Sequence, residues 1–314
     1  MPQVVAALYR FTRLEDYREL REPLLSECLA AGLRGTFLLA GEGINGTIAG
    51  SREAVDQVLT YLRRDPRLQD LTHRETRATQ PPFQRMKVKL KKEIVTMGVA
   101  GIDPVSQPGG YVEPADWNEL VNDDDVLLLD TRNSYETSIG SFRGALRPAT
   151  TNFREFPEFV QRNLDPTKHS RIAMFCTGGI RCEKAAAFML EQGFDEVLKL
   201  RGGILNYLAE IPPQQSAWEG ECFVFDGRVA LNHRLDKGRY DQCHACRHPI
   251  TAQDRQSPLY RQGVSCPACH GRLTDVQKAR FAERRKQVEL ARLRREKLYS
   301  VNASNSRRYF RAAE

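Results

Sequence analysis

The sequence predicts a multidomain α/β protein whose middle third is a parallel sheet covered by helices. Its 314 residues are too many for one ordinary domain and suit two or three. Between residues 115 and 215, compact apolar runs alternate with helical patterns, as they do in an open parallel sheet. Two C-x-x-C pairs follow, which indicates a separate cysteine-rich segment.

Residues 1–97 are predicted to form a small α+β domain. Strands are expected at 4–11, 37–40 and 47–49, a helix at 16–31, and a second helix capped by Ser51. At 87–95, Lys87, Lys89 and Lys91 alternate with apolar residues, which predicts a half-buried strand with a basic face. The order βαββαβ is typical of a ferredoxin-like or acylphosphatase-like sandwich.

The rest of the chain divides into four segments. Residues 98–114 are rich in glycine and proline and are predicted to be a linker. The central domain, 115–215, has expected strands at 126–130, 171–175 and 196–200, and helices at 153–164 and 183–192. Residues 216–271 form the cysteine-rich segment, which begins with a hairpin around Asp226 and Gly227. Residues 272–314 are predicted to be a basic, mostly helical tail.

A glycine-rich loop between a buried strand and a helix is the strongest candidate for catalysis. Two glycines allow successive N–H groups to point inward, and the helix N-terminus adds partial positive charge. A thiol at the start of such a loop is driven towards the reactive thiolate, and an arginine can hold an anionic substrate. The loop and its expected substrate contacts are Cys176, Thr177, Gly178, Gly179, Ile180, Arg181 and Cys182.

The spacing Cys-x4-Arg distinguishes this loop from that of a cysteine phosphatase. A phosphatase loop requires Cys-x5-Arg, but position 182 is a second cysteine. The smaller cradle suits a persulfide sulfur better than a tetrahedral phosphate. Cys182 has two interpretations: a thiol that resolves an oxidised or persulfidated Cys176 as a disulfide, or a helix residue that faces the core.

Composition predicts a cytoplasmic protein. The chain is 41% hydrophobic and 28% charged, and no run approaches the roughly 18 apolar residues that a membrane helix needs. The N-terminal apolar run is too short for a signal peptide. In a reducing compartment, eight cysteines indicate metal binding or catalysis more than disulfides, and the isolated Cys28 and Cys222 are expected to be buried.

Positive charge is concentrated in the tail. Residues 271–314 hold 13 lysines and arginines against 5 acidic residues, whereas the remainder is nearly neutral. Such a segment favours a polyanion such as RNA, and the alternative is a solvated charged helix. The same RNA surface is expected to include Arg85, Lys87, Lys89 and Lys91.

Two C-x-x-C pairs separated by 19 residues predict a structural zinc site. Four thiolates can close tetrahedrally around the ion and leave no open position for catalysis. A nearby histidine (His244, His248 or His270) could replace one cysteine, and disulfides or reduced thiols are the metal-free alternatives. The predicted ligands are Cys243, Cys246, Cys266 and Cys269.

A G-x-G-x-x-G pattern at residues 41–46 resembles a dinucleotide fingerprint. A strand is predicted after it, whereas the fingerprint requires a helix there. We therefore expect a glycine-rich turn between strands. Glu42 and Asn45 could reach a substrate from it, or could only satisfy the turn.

Several segments resemble the bacterial rhodanese-domain tRNA uridine hydroxylase family. A rhodanese domain is suggested by Asp130-Thr-Arg-Asn, Tyr135-Glu and Gly140-Ser-Phe-Arg-Gly-Ala, together with the Cys176 loop. The narrower likeness extends from about residue 5 to about residue 270 and rests on 41–47 (GEGINGT), 89–96 (KLKKEIVT), 153–157 (FREFP), 175–185 (FCTGGIRCEKA), 202–207 (GGILNY) and 220–226 (GECFVFD).

The resemblance implies oxygen-dependent hydroxylation of the wobble uridine in the tRNA anticodon loop to 5-hydroxyuridine. Molecular oxygen would be the co-substrate, and Cys176 matches the family's persulfide-forming cysteine. The sequence carries no flavin or nicotinamide signature.

Two alternatives remain open at this point. The chemistry of the loop, taken from its residues alone, fits a sulfurtransferase that carries a persulfide on Cys176. A non-catalytic RNA-binding protein with a decayed rhodanese fold is the third, and the intact Cys176, Gly178, Gly179 and Arg181 argue against it.

Overall fold

The computed structural model describes residues 2–293, with side chains to residue 290, as two compact units that divide between Gly238 and Arg239. In chain order, the first unit contains β1 (Gln3–Phe11), α1 (Arg21–Ala30), β2 (Arg34–Ala40), β3 (Gly43–Gly50), α2 (Arg52–Arg63), β4 (His73–Ala78), β5 (Met86–Leu90), β6 (Gly110–Val112), α3 (Pro114–Val121), β7 (Val126–Asp130), α4 (Ser134–Thr137), β8 (Gly140–Phe142), α5 (Phe156–Asn163), β9 (Arg171–Phe175), α6 (Ile180–Glu191), β10 (Glu196–Leu200), α7 (Gly203–Glu210), β11 (Trp218–Gly220), β12 (Cys222–Phe223) and β13 (Ala230–Leu231). The second unit contains β14 (Asp241–Gln242), β15 (Pro249–Ile250), α8 (Ala252–Gln256) and α9 (Asp275–Leu293).

The N-terminal part is the ferredoxin-like sandwich that the sequence predicted. Its five strands lie in the order β4-β1-β3-β2-β5; all neighbours are antiparallel except β2 and β5. Phe37 and Ile48 from the sheet, and Val58 from α2, are completely buried in its core. Ser51 caps α2 as expected, since its Oγ accepts a hydrogen bond from the Ala54 N–H at 3.2 Å.

Several elements of this domain differ from the sequence expectation: β2 and β3 begin earlier, at Arg34 and Gly43, and β4 was not predicted. The first helix begins at Arg21, because residues 16–20 form turns in which the Asp16 carboxylate pairs with Arg67 at 2.5 Å. The basic strand ends at Leu90, so that Lys91 lies beyond it. The helix therefore begins later, and the strand ends earlier, than periodicity alone indicates.

The central sheet is entirely parallel, in the order β6-β10-β9-β7. Its edge strand β6 lies within the segment that was expected to be a linker. Gly109 permits this approach: its φ is +64°, and a Cβ there would lie 2.8 Å from the Val197 carbonyl oxygen. The glycine and proline content of residues 98–114 did not predict this close approach of β6 to β10.

Strand β9 divides two apolar cores and leads into the reactive loop. Ile172 and Met174 face one core, whereas Ala173 and Phe175 face the other, as the alternation of a strand requires. Phe175 packs edge-on against Phe142, with ring centroids 4.8 Å apart. The residue that follows Phe175 therefore leaves the sheet from a rigid, fully buried position.

The remaining elements are short. The predicted hairpin forms as β12 and β13, joined through the turn at Asp226 and Gly227. In the second unit, α9 confirms the helical character of the tail up to residue 293, and residues 294–314 lie outside the described residues. No helix within residues 2–293 is both long and apolar enough to cross a lipid bilayer.

Candidate active site and metal centre

The Cys176 thiol lies at the end of β9, where the chain turns into α6. It is 1% exposed, and its Sγ accepts a hydrogen bond from the Gly179 N–H at 3.1 Å. Gly179 has a φ of +97°, in the left-handed region that favours glycine. The left-handed residue turns the backbone so that amide hydrogens face the sulfur, as the loop pattern predicted.

The environment of Cys176 favours the thiolate. Burial by itself would raise the pKa of this thiol. A hydrogen bond from Cys182, the positive charge of Arg181 and backbone N–H groups at the start of α6 outweigh burial and lower the pKa to about 6. Cys222, buried in the same unit without a comparable loop, has its pKa raised to about 12 by burial.

Arg181 is held by a carboxylate that sequence reasoning gave no role. Its guanidinium donates two hydrogen bonds to Glu136, at 2.6 and 2.7 Å, and both side chains are buried. Glu136 also accepts the Asn133 N–H at 3.1 Å in the capping box of α4. Arg181 thus supplies a fixed positive charge to the loop, and its predicted role in holding a substrate anion stays a prediction.

The N-terminus of α7 packs against the reactive loop. Ile204 N–H donates to the Cys176 carbonyl oxygen at 2.9 Å, and Leu205 N–H donates to that of Thr177 at 3.1 Å. Gly203 allows this contact, since a Cβ there would lie 2.5 Å from the Cys176 oxygen. The Gly-Gly pair at 202 and 203 therefore serves to bring a second helix against the reactive loop.

Cys182 lies in the first turn of α6 with its sulfur directed towards Cys176. It is 1% exposed, and its Sγ is 3.6 Å from the Thr131 hydroxyl. Burial and the neighbouring Cys176 sulfur raise its pKa well above the usual value. The two thiols therefore form an unequal pair in which Cys176 carries the negative charge.

The N-terminal domain contributes Tyr9 to the reactive loop. The Tyr9 hydroxyl donates to Glu183 at 2.8 Å, and a Cβ on Gly179 would lie 2.8 Å from the same hydroxyl oxygen. Glu183 in turn pairs with Lys199 at 2.6 Å. Nothing in the sequence of β1 distinguishes Tyr9 from an ordinary half-buried strand residue.

Gly41 and Glu42 form the turn between β2 and β3; a strand does occur here as expected, but it begins at Gly43 and includes Gly46. Glu42 accepts the Ile94 N–H at 2.6 Å and pairs with Lys184 at 2.7 Å, while Asn45 donates to the Ile94 carbonyl at 2.9 Å. Glu93 binds the same Lys184 at 2.6 Å. This turn is thereby tied to α6, the helix that begins at the Cys176 loop.

The four basic residues expected to bind substrate lie at one edge of the N-terminal sheet. Arg85 precedes β5, Lys87 and Lys89 lie on it, and Lys91 follows it. Strand β5 is at the edge opposite β4, whereas exposed Arg74 on β4 lies beside Gly202, close to the loop. The RNA-binding role of the β5 residues stays a prediction.

The four predicted zinc ligands come together in the second unit. Their sulfur atoms all lie within 4.8 Å of one another, and Cys266 Sγ is 3.8 Å from both Cys246 Sγ and Cys269 Sγ. Tetrahedral zinc with Zn–S bonds of about 2.3 Å separates its sulfurs by about 3.8 Å. Cys243, Cys266, Cys246 and Cys269 can therefore bind a metal such as zinc.

Comparison with known proteins agrees with this architecture. Residues 3–94 match the family model described as UPF0176 acylphosphatase like domain, and residues 113–210 match that of the rhodanese-like domain. The chain belongs to the UPF0176 rhodanese-domain family. The reactive loop and α6 fall within the rhodanese match, and Tyr9 and Glu42 fall within the N-terminal match.

Three solved structures with detectable similarity cover between 29% and 35% of the chain. The rhodanese-like domain from Anabaena sp is 19% identical over 35% of this chain and 78% of its own, with a TM-score of 0.29. A rhodanese-related protein from Thermoplasma volcanium is 22% identical over 33% and 95%, with a TM-score of 0.26. BlsA in its photo-activated state is 17% identical over 29% and 71%, with a TM-score of 0.25.

The lowered pKa predicts the pH dependence of Cys176 alkylation. Only the thiolate reacts, so the rate with iodoacetamide should rise with pH through a midpoint near 6 and be nearly constant above pH 8. Peptide mass spectrometry of the native and the urea-unfolded protein measures this site by site. The unfolded protein should show a midpoint near 8.5, and native Cys222 should stay unreactive. A native midpoint above 8 would contradict the stabilised thiolate.

The cysteine cluster predicts about one zinc ion per chain that withstands washing with a weak chelator. Cys266→Ser should abolish stoichiometric zinc, because three thiolates bind the ion much more weakly than four. Elemental analysis measures the content, and Cys28→Ala, in the buried core of the N-terminal domain, is the matched control. Metal-free wild-type protein with reduced thiols would disprove the site.

Proposed function

We propose that this protein hydroxylates the wobble uridine of tRNA to 5-hydroxyuridine, with molecular oxygen as co-substrate and Cys176 as the essential thiol. The observation that carries the proposal is a stabilised thiolate in a loop to which both domains contribute. The substrate and the reaction are proposed from the resemblance to the tRNA uridine hydroxylase family in residues 41–47, 175–185 and 220–226. The rhodanese domain alone supports only an enzyme with a reactive cysteine.

Burial of the Cys176 thiol favours a reaction through an oxygen or sulfur atom attached to Cys176 Sγ. At 1% exposure, Cys176 Sγ does not itself reach a large substrate. A persulfide or a sulfenic acid extends the reactive atom by one bond towards the mouth of the loop. The N–H groups that stabilise the thiolate would then orient this terminal atom.

Sulfur transfer is the second candidate, and the size of the loop favours it. The N–H of Gly179 points at Cys176 Sγ, and the four residues between Cys176 and Arg181 leave room for a sulfur atom more readily than for a phosphate. A persulfide on Cys176 would pass its outer sulfur to an acceptor. The two candidates predict different products and the same essential thiol.

Replacing Cys176 by alanine should remove the modified nucleoside completely, since it removes the thiol of the loop whose pKa is lowered, whereas the pKa of Cys182 is raised. Cells that lack the protein are complemented with wild type, Cys176→Ala or the control Cys28→Ala, and their tRNA nucleosides are measured by mass spectrometry. Wild type and the control should restore 5-hydroxyuridine derivatives. Loss of a thiolated nucleoside instead would establish sulfur transfer, and full hydroxylation by Cys176→Ala would contradict both candidates.

Cys182 should act as the resolving thiol. After mild peroxide, Cys176 sulfenic acid and the Cys182 thiol condense to a disulfide; one S–S bond forms, and the sulfenic oxygen leaves as water. Peptide mapping should find a 176–182 link in wild type, whereas Cys182→Ala should accumulate further oxidised Cys176. Absence of the link under conditions that oxidise Cys176 would assign Cys182 to the core alone.

Removing residues 272–314 should weaken tRNA binding and flatten its salt dependence. Each lost phosphate contact reduces the slope of log K against log salt by about 0.7 to 0.9. A less disruptive variant changes Arg294, Arg295 and Lys297 to glutamine. In both variants, a retained zinc content would show that the cysteine-rich unit is still folded. Affinity equal to that of wild type at two salt concentrations would exclude the tail from RNA binding.

A further inference from the structure

Phe225 is a large apolar side chain that the fold leaves in solvent. It is 64% exposed, although Phe223, the other aromatic residue of the segment 220–226, is buried. A single exposed apolar residue is ordinary on a protein surface, so a role for Phe225 has to come from what surrounds it. The reaction at Cys176 does not by itself explain it.

The ring stands at the mouth of the reactive loop. The Arg181 guanidinium carbon lies 5.9 Å from the centroid of the Phe225 ring. The Thr177 hydroxyl donates to the Phe223 carbonyl at 3.3 Å, and Phe223 packs edge-on against Phe225 at 5.3 Å. Residues on either side of the loop, 177 and 181, therefore contact the hairpin that carries this ring.

Hydrogen bonds and an ion pair hold the hairpin in place. The fold itself therefore fixes the exposed position of Phe225. Val224 N–H donates to Val229 O at 2.9 Å, and Gly227 N–H donates to Pro82 O at 2.8 Å. Arg228 pairs with Asp226 at 2.6 Å and donates to the Thr76 hydroxyl at 2.7 Å. Both the N-terminal and the rhodanese domain fix the ring before any ligand binds.

Positive charge lies close to the same loop. Exposed Arg74 on β4 sits beside Gly202, since a Cβ there would lie 2.7 Å from its Nε. The next residue, Gly203, packs against the Cys176 carbonyl. An aromatic platform with an arginine nearby is the arrangement that binds an unstacked base and its phosphate in single-stranded RNA.

We propose that Phe225 stacks on the unpaired pyrimidine base that is to be modified, and that Arg74 binds an adjacent phosphate. This inference rests on the proposed function and names the base-binding residue of the same site. A flipped base held by Phe225 is placed at the mouth of the loop, within reach of an atom carried by Cys176. Phe225 is a positioning residue, because the chemistry itself belongs to the sulfur.

The test measures binding of two RNA hairpins, both 17-nucleotide anticodon stem–loops, one with uridine and one with an abasic site at the wobble position. Phe225→Ala should weaken binding of the uridine hairpin about 5- to 150-fold, the range for one lost base stack. It should leave the abasic hairpin unchanged, since that probe has no base to stack. Phe225→Trp should bind the uridine hairpin like wild type, and Leu29→Ala, 58% exposed on α1, is the matched control.

The outcomes separate this inference from the proposed function. Equal loss for both hairpins, or no loss for either, overturns the stacking role whatever the activity. Arg74→Gln should weaken both hairpins alike and reduce the salt slope; unchanged binding overturns the phosphate contact. Nucleoside mass spectrometry of wild type tests hydroxylation independently, and circular dichroism confirms that each variant is folded.

Discussion

The structure around the reactive loop depends on one constraint: the negative charge of the buried Cys176 sulfur must be stabilised. Cys176 leaves β9 between two apolar cores, where an isolated thiolate would be strongly disfavoured. The Gly179 N–H, the Cys182 thiol and the Arg181 guanidinium offset that cost. Glu136 then holds Arg181 in place. The glycines at 179 and 203 are required because any side chain there would displace a neighbour of the sulfur.

The two domains of the first unit meet on adjacent residues of α6. Glu183 binds Tyr9, and Lys184, which is 3% exposed in its side chain, pairs with both Glu42 and Glu93. Removing one partner of a buried ion pair leaves an uncompensated charge, so these contacts resist rearrangement. The N-terminal domain is consequently part of the site, and the hairpin that carries Phe225 reinforces the connection through Pro82 and Thr76.

The cysteine-rich unit obeys a different constraint. Its strands β14 and β15 are two residues each, and its apolar core is small, so four thiolates around a metal would supply the cohesion that burial does not. Two arginines of α9 also contact this unit: Arg284 donates to the His244 carbonyl oxygen, and Arg285 donates to the Gln262 side chain. The reactive cysteine and the four clustered cysteines therefore belong to separate units of the chain.

Features that depend on residues close together in the chain were predictable before the fold was known. Strand periodicity located β9 and β10, the spacing of Cys176, Gly179 and Arg181 defined the loop, and the C-x-x-C pairs defined the metal ligands, because each depends on residues close in sequence. The isolated Cys28 and Cys222 are buried, as expected.

The contributions of distant segments became apparent from the folded chain. Tyr9 and Glu136 reach the loop and α6 from distant elements, Arg74 lies beside Gly202, and their own neighbourhoods carry no signal of these contacts. The same is true of β6, whose pairing depends on a close approach at Gly109. Local patterns are set by backbone geometry and short-range hydrogen bonds, whereas these partners are chosen by the packing of one domain against another.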